Sequence, residues 1–378
     1  MIYLDYSATT PVSYDVLESY IRATKDFMGN PNSLHSLGVK SKALMNSALK
    51  QVSDIFNVLE SELTFTASAT MSNNLALVGT CLANMKKGNH IITSKLEHPS
   101  IYKICRYLES LGFDVSYVDN TEDGLVDFED LKRKMRPDTI VVSICAVNSE
   151  TGVRQPLKMI RQIVKKENPE TFLHSDMTQA LGKVPVNFHD VDLASASAHK
   201  IYGPKGIGLL YKSSRVNLTP LIHGSGHVNE LNPGTPAVPL IVAFAKAIRL
   251  ATNDLERREN FIRRLNAKMV EELRKYDGVE INQTKICIPH ILNISLKNIK
   301  AETFLHALEE YEIYISTNTA CASGELSTSV MALYNDRKRA SSTLRISLSH
   351  LTTIDEVNKF LTCFKIVYQR LSSISEFE

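Results

Sequence analysis

Residues 139–147, TIVVSICAV, carry only two polar side chains, Thr139 and Ser143, in nine positions. A strand with one wet face alternates apolar and polar. A run apolar on both faces needs helices packed on both sides, the situation of a strand inside a parallel sheet. The flanks agree. The charged helical segment DFEDLKRKM (127–135) precedes the run, and PLKMIRQIVKKEN (156–168), TFLHSD (171–176) and LASASAH (193–199) follow it. Upstream, HIITS (90–94) leads into HPSIYKICRYLESLG (98–112), where Ile101, Ile104, Cys105, Leu108 and Leu111 share a helical face, and then into DVSYVD (114–119). This βα alternation predicts an α/β fold with a mostly parallel central sheet covered by helices.

The 378 residues exceed the usual size of a single core, so a second, smaller domain is expected. From Val238 to Tyr276 a stretch without Gly, and without Pro after Pro239, reads as one long helical connector. Beyond it HILNISL (290–296), AETFLHALEEY (301–311), IYIST (313–317), TLRISLS (343–349) and TTIDEVNKFLTCFKIVYQRL (352–371) suggest a small α+β domain. No internal repeat or low-complexity tract interrupts the chain.

Charged residues make up 22% and the formal net charge is +2, which gives no electrostatic reason to expect direct nucleic-acid binding or an anionic membrane partner. MIYLDYSATTPVSYD (1–15) lacks a basic segment followed by an apolar one, and no run reaches the ~18 apolar residues of a membrane span. A cytoplasmic protein acting on a small substrate is expected. The six cysteines are scattered without CxxC spacing, which predicts reduced thiols and no structural zinc.

In open α/β sheets ligands bind off the carboxyl ends of the strands. The loops there are TASAT (66–70), LEHPS (96–100), NSETG (148–152), DMTQ (176–179) and AHK (198–200). They offer Ser68 and Thr70, His98, Asn148, Asp176 with Gln179, and Ser197 with His199 and Lys200. Any one of these residues could be an ordinary loop polar group. Together they suit pyridoxal 5'-phosphate: a helix start for the phosphate, a carboxylate to hold the pyridine nitrogen protonated, and a desolvated lysine to carry the Schiff base. Lys205, in GPKGIG (203–208), lacks the GxxxxGK[ST] context of a nucleotide loop and reads as a turn residue. An arginine in an apolar strand, Arg345 in STLRISLS (342–349), is costly unless paired. Either a substrate carboxylate or an internal salt bridge accounts for it.

The chain resembles the cysteine desulfurases of the NifS/IscS group, within the class V aminotransferase family, from YLDYSATTP (3–11) to STLRISLSHLTTIDEV (342–357). The motifs that carry the resemblance are NPNSLH (30–35), TFTASATMSNNLAL (64–77), AVNSETGV (146–153), HSDMTQALGK (174–183), SASAHKIYGPKGIG (195–208) and NTACASGEL (318–326). The resemblance implies fold type I of the pyridoxal-phosphate enzymes, with a large domain over 15–247 and a small one from 1–14 and 248–378 that carries a catalytic cysteine loop. It implies L-cysteine as substrate, L-alanine as product and a homodimer. Lys200 is then the cofactor lysine. Ala69, Thr70, Ser197 and His199 contact the phosphate, with Thr235 reaching the cofactor of the neighbouring subunit. Asp176 pairs with the pyridine nitrogen, Gln179 with the ring hydroxyl oxygen, and His98 stacks on the ring and moves protons. Asn148 sits between cofactor and substrate, and Arg345 binds the substrate carboxylate. Cys321, in a polar small-residue stretch, takes the sulfur as a persulfide and passes it to an acceptor protein, a scaffold for iron–sulfur assembly or a tRNA-thiolation enzyme. The other five cysteines lie in apolar patterns as small hydrophobes.

Two stretches depart from the family pattern. HGSGHVNELNPGT (223–235) has Asn229 and Asn232 where arginines are usual, and TASATMS (66–72) lacks the usual glycines and glutamate of the phosphate turn. A selenocysteine lyase, another lyase or transaminase of the same fold, and an inactive scaffold are the competing readings. Dispensability of Cys321 marks the first two and failure to bind the cofactor marks the third.

Overall fold

The computed structural model describes residues 1–225, 229–317 and 326–375. Its central sheet has seven strands: β2 (Leu63–Thr66), β3 (His90–Ser94), β4 (Asp114–Val118), β5 (Thr139–Ser143), β6 (Phe172–Asp176), β7 (Leu193–Ser197) and β8 (Gly208–Lys212). Their spatial order is β2-β8-β7-β6-β5-β3-β4. Strands β4, β3, β5, β6 and β7 pair in parallel, while β8 is antiparallel to both β7 and β2. Successive residues feed opposite faces. Val141, Leu193 and Leu210 join one core with Ile101, Ile104 and Leu108, whereas Val142, Ala194 and Leu209 join the other with Ile160, Phe244 and Ile248. Both faces are therefore covered, as the run at 139–147 requires.

A three-stranded antiparallel sheet, β9 (Val279–Ile281), β10 (Ile291–Leu296) and β12 (Thr343–Ser347), has its own core around Phe304, Phe360 and Phe364. Strand β1 (Ile2–Tyr3) pairs with β11 (Ile313–Tyr314) in parallel. The N-terminal arm thus starts at the small sheet and crosses to the large one: Ser7 N–H donates to Ser347 Oγ at 2.9 Å, and Thr10 N–H to the His199 carbonyl at 2.9 Å.

The expected single connector over 238–276 is two helices, Val238–Thr252 and Leu255–Leu273. Asp254 between them has φ 54°, a left-handed conformation that short polar side chains tolerate. The first helix buries Ile241, Phe244 and Ile248 in the large core, and the second buries Ile262, Leu265 and Met269 in the small one. A straight rod cannot serve both. No described helix is long and apolar enough to cross a membrane.

Candidate active site

Five strand ends and the N-terminal arm enclose a cavity of about 260 Å³. At one end, β2 stops at Thr66, and Ser68, extended at φ −170° and ψ 165°, caps a helix beginning at Ala69 by accepting the Met71 N–H at 3.1 Å. The first amides of that helix have no intrahelical partner, so Ala69 and Thr70 present donors and a positive dipole end. The turn lies on β8 at Gly208, where a Cβ would stand 2.4 Å from the Ser68 carbonyl carbon. Ser197 and His199 line the same cavity. His199 Nδ1 lies 3.2 Å from Thr9 Oγ1, and burial, aided by Lys200 and Lys205, pushes the imidazole down to about 4, so it is neutral.

At the other end Asp176, the last residue of β6, accepts from Asn73 Nδ2 (2.9 Å) and from the Thr178 N–H (2.9 Å). His98 lines the cavity and caps helix Pro99–Ser110, its Nδ1 accepting the Ser100 N–H at 3.1 Å. Burial lowers its pKa, Asp176 opposes the shift, and Lys200 and Arg345 add to it. A neutral imidazole that accepts at Nδ1 carries its proton on Nε2.

Lys200 follows β7, and its Nζ donates to the carbonyls of Ser7 (2.6 Å) and Ala8 (2.7 Å). Gln179 lines the cavity and donates from Nε2 to the same Ser7 carbonyl at 2.9 Å. Lys205 is exposed beside Gly206, whose φ of 86° turns the chain into β8.

Arg345 is 1% exposed and comes from β12 of the small sheet. The internal partner anticipated as an alternative exists: Nη2 meets Asp5 Oδ1 at 2.9 Å and Nη1 donates to the Ser149 carbonyl at 3.1 Å. These two contacts leave its buried Nε without a partner among the described residues. The fork is held by the protein while Arg345 lines the cavity.

Two expected residues lie elsewhere. Asn148 is 2% exposed, and its neighbours Val147 and Ser149 line the cavity while it does not. Its Oδ1 accepts from Glu150 N–H, Thr151 N–H and Thr151 Oγ1, and its Nδ2 donates to the Leu96 carbonyl (2.8 Å) and Ser329 Oγ (2.9 Å). An amide so saturated braces the loop instead of facing a ligand. Thr235 lines a separate groove of about 270 Å³ with Phe65, Thr66, Ala67 and Ile207. Beside that groove Asn229 Nδ2 donates to Thr64 Oγ1 (2.9 Å) and Asn232 Nδ2 to the Phe65 carbonyl (2.8 Å). The asparagines that replace the family arginines thus cover the open edge of β2, an edge otherwise available for mispairing.

Cys321 lies outside the described residues. The other five cysteines are buried, and burial raises the pKa of each thiol. Sequence reasoning missed Asn73, Glu97, Lys183 and the carbonyls of the N-terminal arm. Glu97 was marked only by preceding His98 and Lys183 only by its i+4 spacing from Gln179. Nothing local distinguishes Ser7 and Ala8, because they act through backbone.

The model of the class-V aminotransferase family matches residues 2–360. The NifS/IcsS protein homolog of Lactobacillus delbrueckii subsp. bulgaricus is 38% identical over 99% of each chain. The cysteine desulfurase IscS of Buchnera aphidicola is 38% identical over 99% of this chain and 94% of its own. Among solved structures, a NifS-like protein superposes with a TM-score of 0.92 at 37% identity, covering 98% of this chain and 99% of its own. The NifS-like protein from Rickettsia africae does so at 0.87 and 31%, with coverage of 98% and 99%. With that coverage, and with lysine, carboxylate, arginine and helix start gathered in one cavity, the chain belongs to the class-V aminotransferase family.

Proposed function

We propose that the protein is a pyridoxal-phosphate-dependent cysteine desulfurase that converts L-cysteine to L-alanine and places the sulfur on Cys321. The observation that carries this reading is the convergence of Lys200, Asp176 and Arg345 on one cavity.

The donor set fits pyridoxal 5'-phosphate. Ser7, Asn73, Thr178 and Arg345 all line the cavity, and each keeps one buried polar atom without a partner among the described residues, so the wall has hydrogen-bonding capacity that the protein itself does not use. The close approach of the Ser68–Ala69 turn to Gly208 leaves a cradle of backbone donors of the kind an anion takes. Ala69, Thr70, Ser197 and His199 would hold the phosphate, Asp176 the pyridine nitrogen and Gln179 the ring oxygen. When bound, the cofactor supplies an electron sink that acidifies the α-proton and permits cleavage at the β-sulfur.

Lys200 would hold the cofactor through its Nζ, and that nitrogen would be the base for the substrate's α-proton. The carbonyls of Ser7 and Ala8 receive that nitrogen when it is protonated. His98, lining the cavity with its pKa lowered by burial, would hold or move a proton at Nε2. Arg345, braced by Asp5 and lining the cavity, would bind the substrate carboxylate through its guanidinium. The Cys321 thiolate attacks the substrate sulfur. The carbon–sulfur bond breaks, its electron pair stays with the carbon fragment, and protonation yields alanine. L-cysteine and the Cys321 thiol thus become L-alanine and a Cys321 persulfide, which an acceptor protein for iron–sulfur assembly or tRNA thiolation consumes.

The same reading takes 15–247 as the large domain and 1–14 with 248–378 as the small one, in a cytoplasmic homodimer. Tyr14, Met28 and Leu34, exposed at 78%, 81% and 97%, are apolar surface that a second copy would cover. In that dimer Thr235 would reach the cofactor phosphate of the neighbouring subunit.

Borohydride reduction of the purified, cofactor-loaded protein tests the reading. Peptide mapping should find the reduced adduct on Lys200. A protein that takes up no cofactor, or carries it on another lysine, contradicts it.

A further inference from the structure

Behind the cavity wall, the turn after β6 carries a lysine that solvent does not explain. Lys183 is 8% exposed, and the charges that act on it are Lys200 and Arg345, both of its own sign. Burial, then those two cations, push its amine well below the ordinary lysine range. Among the described residues lining the cavity behind it there is no carboxylate. A small cavity of about 10 Å³, room for about one water, is lined by Lys183, Lys200, Arg258, His290 and His350 among others. Burial puts His290 down to about 3 and His350 to about 4, so both are neutral and Arg258 is the fixed charge beside Lys200 there.

The amine has one clear task in this position. It donates to Gln179 Oε1 four residues back along a tight turn. Ala180 N–H bonds to the Met177 carbonyl (2.9 Å) and Lys183 N–H to the Ala180 carbonyl (3.0 Å). Gly182, at φ 69°, makes the turn possible: a Cβ there would stand 2.7 Å from Ala251 Cβ and 2.9 Å from Ile201 Cγ2. On its other side Gln179 Nε2 donates to the Ser7 carbonyl, which can only accept, so the amide has one permitted orientation. Its other Nε2 hydrogen has no acceptor among the described residues, and Gln179 lines the cavity. The Ser7 carbonyl also receives Lys200 Nζ, which closes a chain from Lys183 through Gln179 and Ser7 to Lys200.

We propose that Lys183 is a positioning residue that locks and polarises Gln179 as the donor to the cofactor's ring oxygen, and so sets the proton affinity of the Lys200 nitrogen facing that oxygen. This rests on the pyridoxal-phosphate reading above. A hydrogen bond into Gln179 Oε1 strengthens donation from Nε2. A stronger donor withdraws charge from the ring oxygen and makes the adjacent Lys200 nitrogen easier to deprotonate. Losing Lys183 therefore raises the pH at which the loaded enzyme changes colour.

The test is a spectrophotometric pH titration of the visible band of loaded wild type, Lys183→Met, Gln179→Leu and the double variant, with cofactor Kd measured alongside. Lys183→Met should move the colour change up by about one pH unit, the scale of one hydrogen bond, and weaken cofactor binding several-fold. In the Gln179→Leu background the same substitution should move nothing further. Should Lys183→Met fail to load, Lys183→Gln, which keeps one neutral donor, must shift in the same direction by less. A loaded Lys183→Met or Lys183→Gln that titrates at the wild-type pH overturns the inference alone, as does a shift undiminished without Gln179. A wild type that takes up no cofactor overturns the functional reading and this inference with it.

Discussion

Glu97 and His98 are neighbours in the chain with opposite proton logic. Burial pushes the Glu97 carboxyl up to about 8 although Oε1 accepts from Ser94 Oγ (2.6 Å) and Cys145 N–H (2.8 Å). Glu97 therefore stays protonated at neutral pH while His98 stays neutral by losing its proton. A carboxyl raised on folding contributes stability below its unfolded value near 4.3 that is lost as pH rises towards 8. Glu97→Gln keeps the acceptor and removes the titration. Its Tm should exceed that of wild type at pH 8 and match it at pH 5, and equal differences at both pH values would remove this role. Arg345→Lys keeps the charge and loses the fork, so KM for L-cysteine should rise about tenfold to a hundredfold. The cofactor band should remain in place; its loss would assign Arg345 to the cofactor instead. Arg345 was legible because an arginine in an apolar strand demands a partner. Its bracing by Asp5 was not, since 340 residues separate the two.

Strand and helix identities followed from periodicity wherever an element is buried on a defined face. The break at Asn253–Asp254 has only the mild local signal of two short polar residues that favour helix caps; two separate cores bend the chain there. Asn148 misled for a related reason: a polar residue after a strand can serve the ligand or the loop, and its bond to Ser329 comes from a distant helix. The Ser68–Thr70 turn forms without a glycine at Ser68 because that residue is extended, whereas the close approach opposite requires glycine at 208. Gly208→Ala should displace the Ser68–Thr70 turn and weaken cofactor affinity at least about tenfold. Titration of the apo protein with pyridoxal phosphate measures it, and unchanged affinity would separate that turn from the phosphate.

Across the whole molecule, the small sheet delivers Arg345 and the large sheet delivers Asp176 and Lys200, with the N-terminal arm tied to both. The parallel sheet was readable from a single run, 139–147, because double-sided burial leaves no alternation. Assembly between copies leaves no such periodic mark. It is tested by Leu34→Glu, which should shift the sedimenting species from two chains to one, and an unchanged dimer would move the interface elsewhere. The central claim joins two distant residues, Lys200 and Cys321, in one reaction. Mass spectrometry of the Cys321 peptide after brief incubation of the loaded enzyme with L-cysteine addresses both. The account predicts a gain of one sulfur atom on that peptide, absent in Lys200→Ala. Alanine and sulfide formed at the wild-type rate by Cys321→Ala, with no sulfur on Cys321 in wild type, would contradict it.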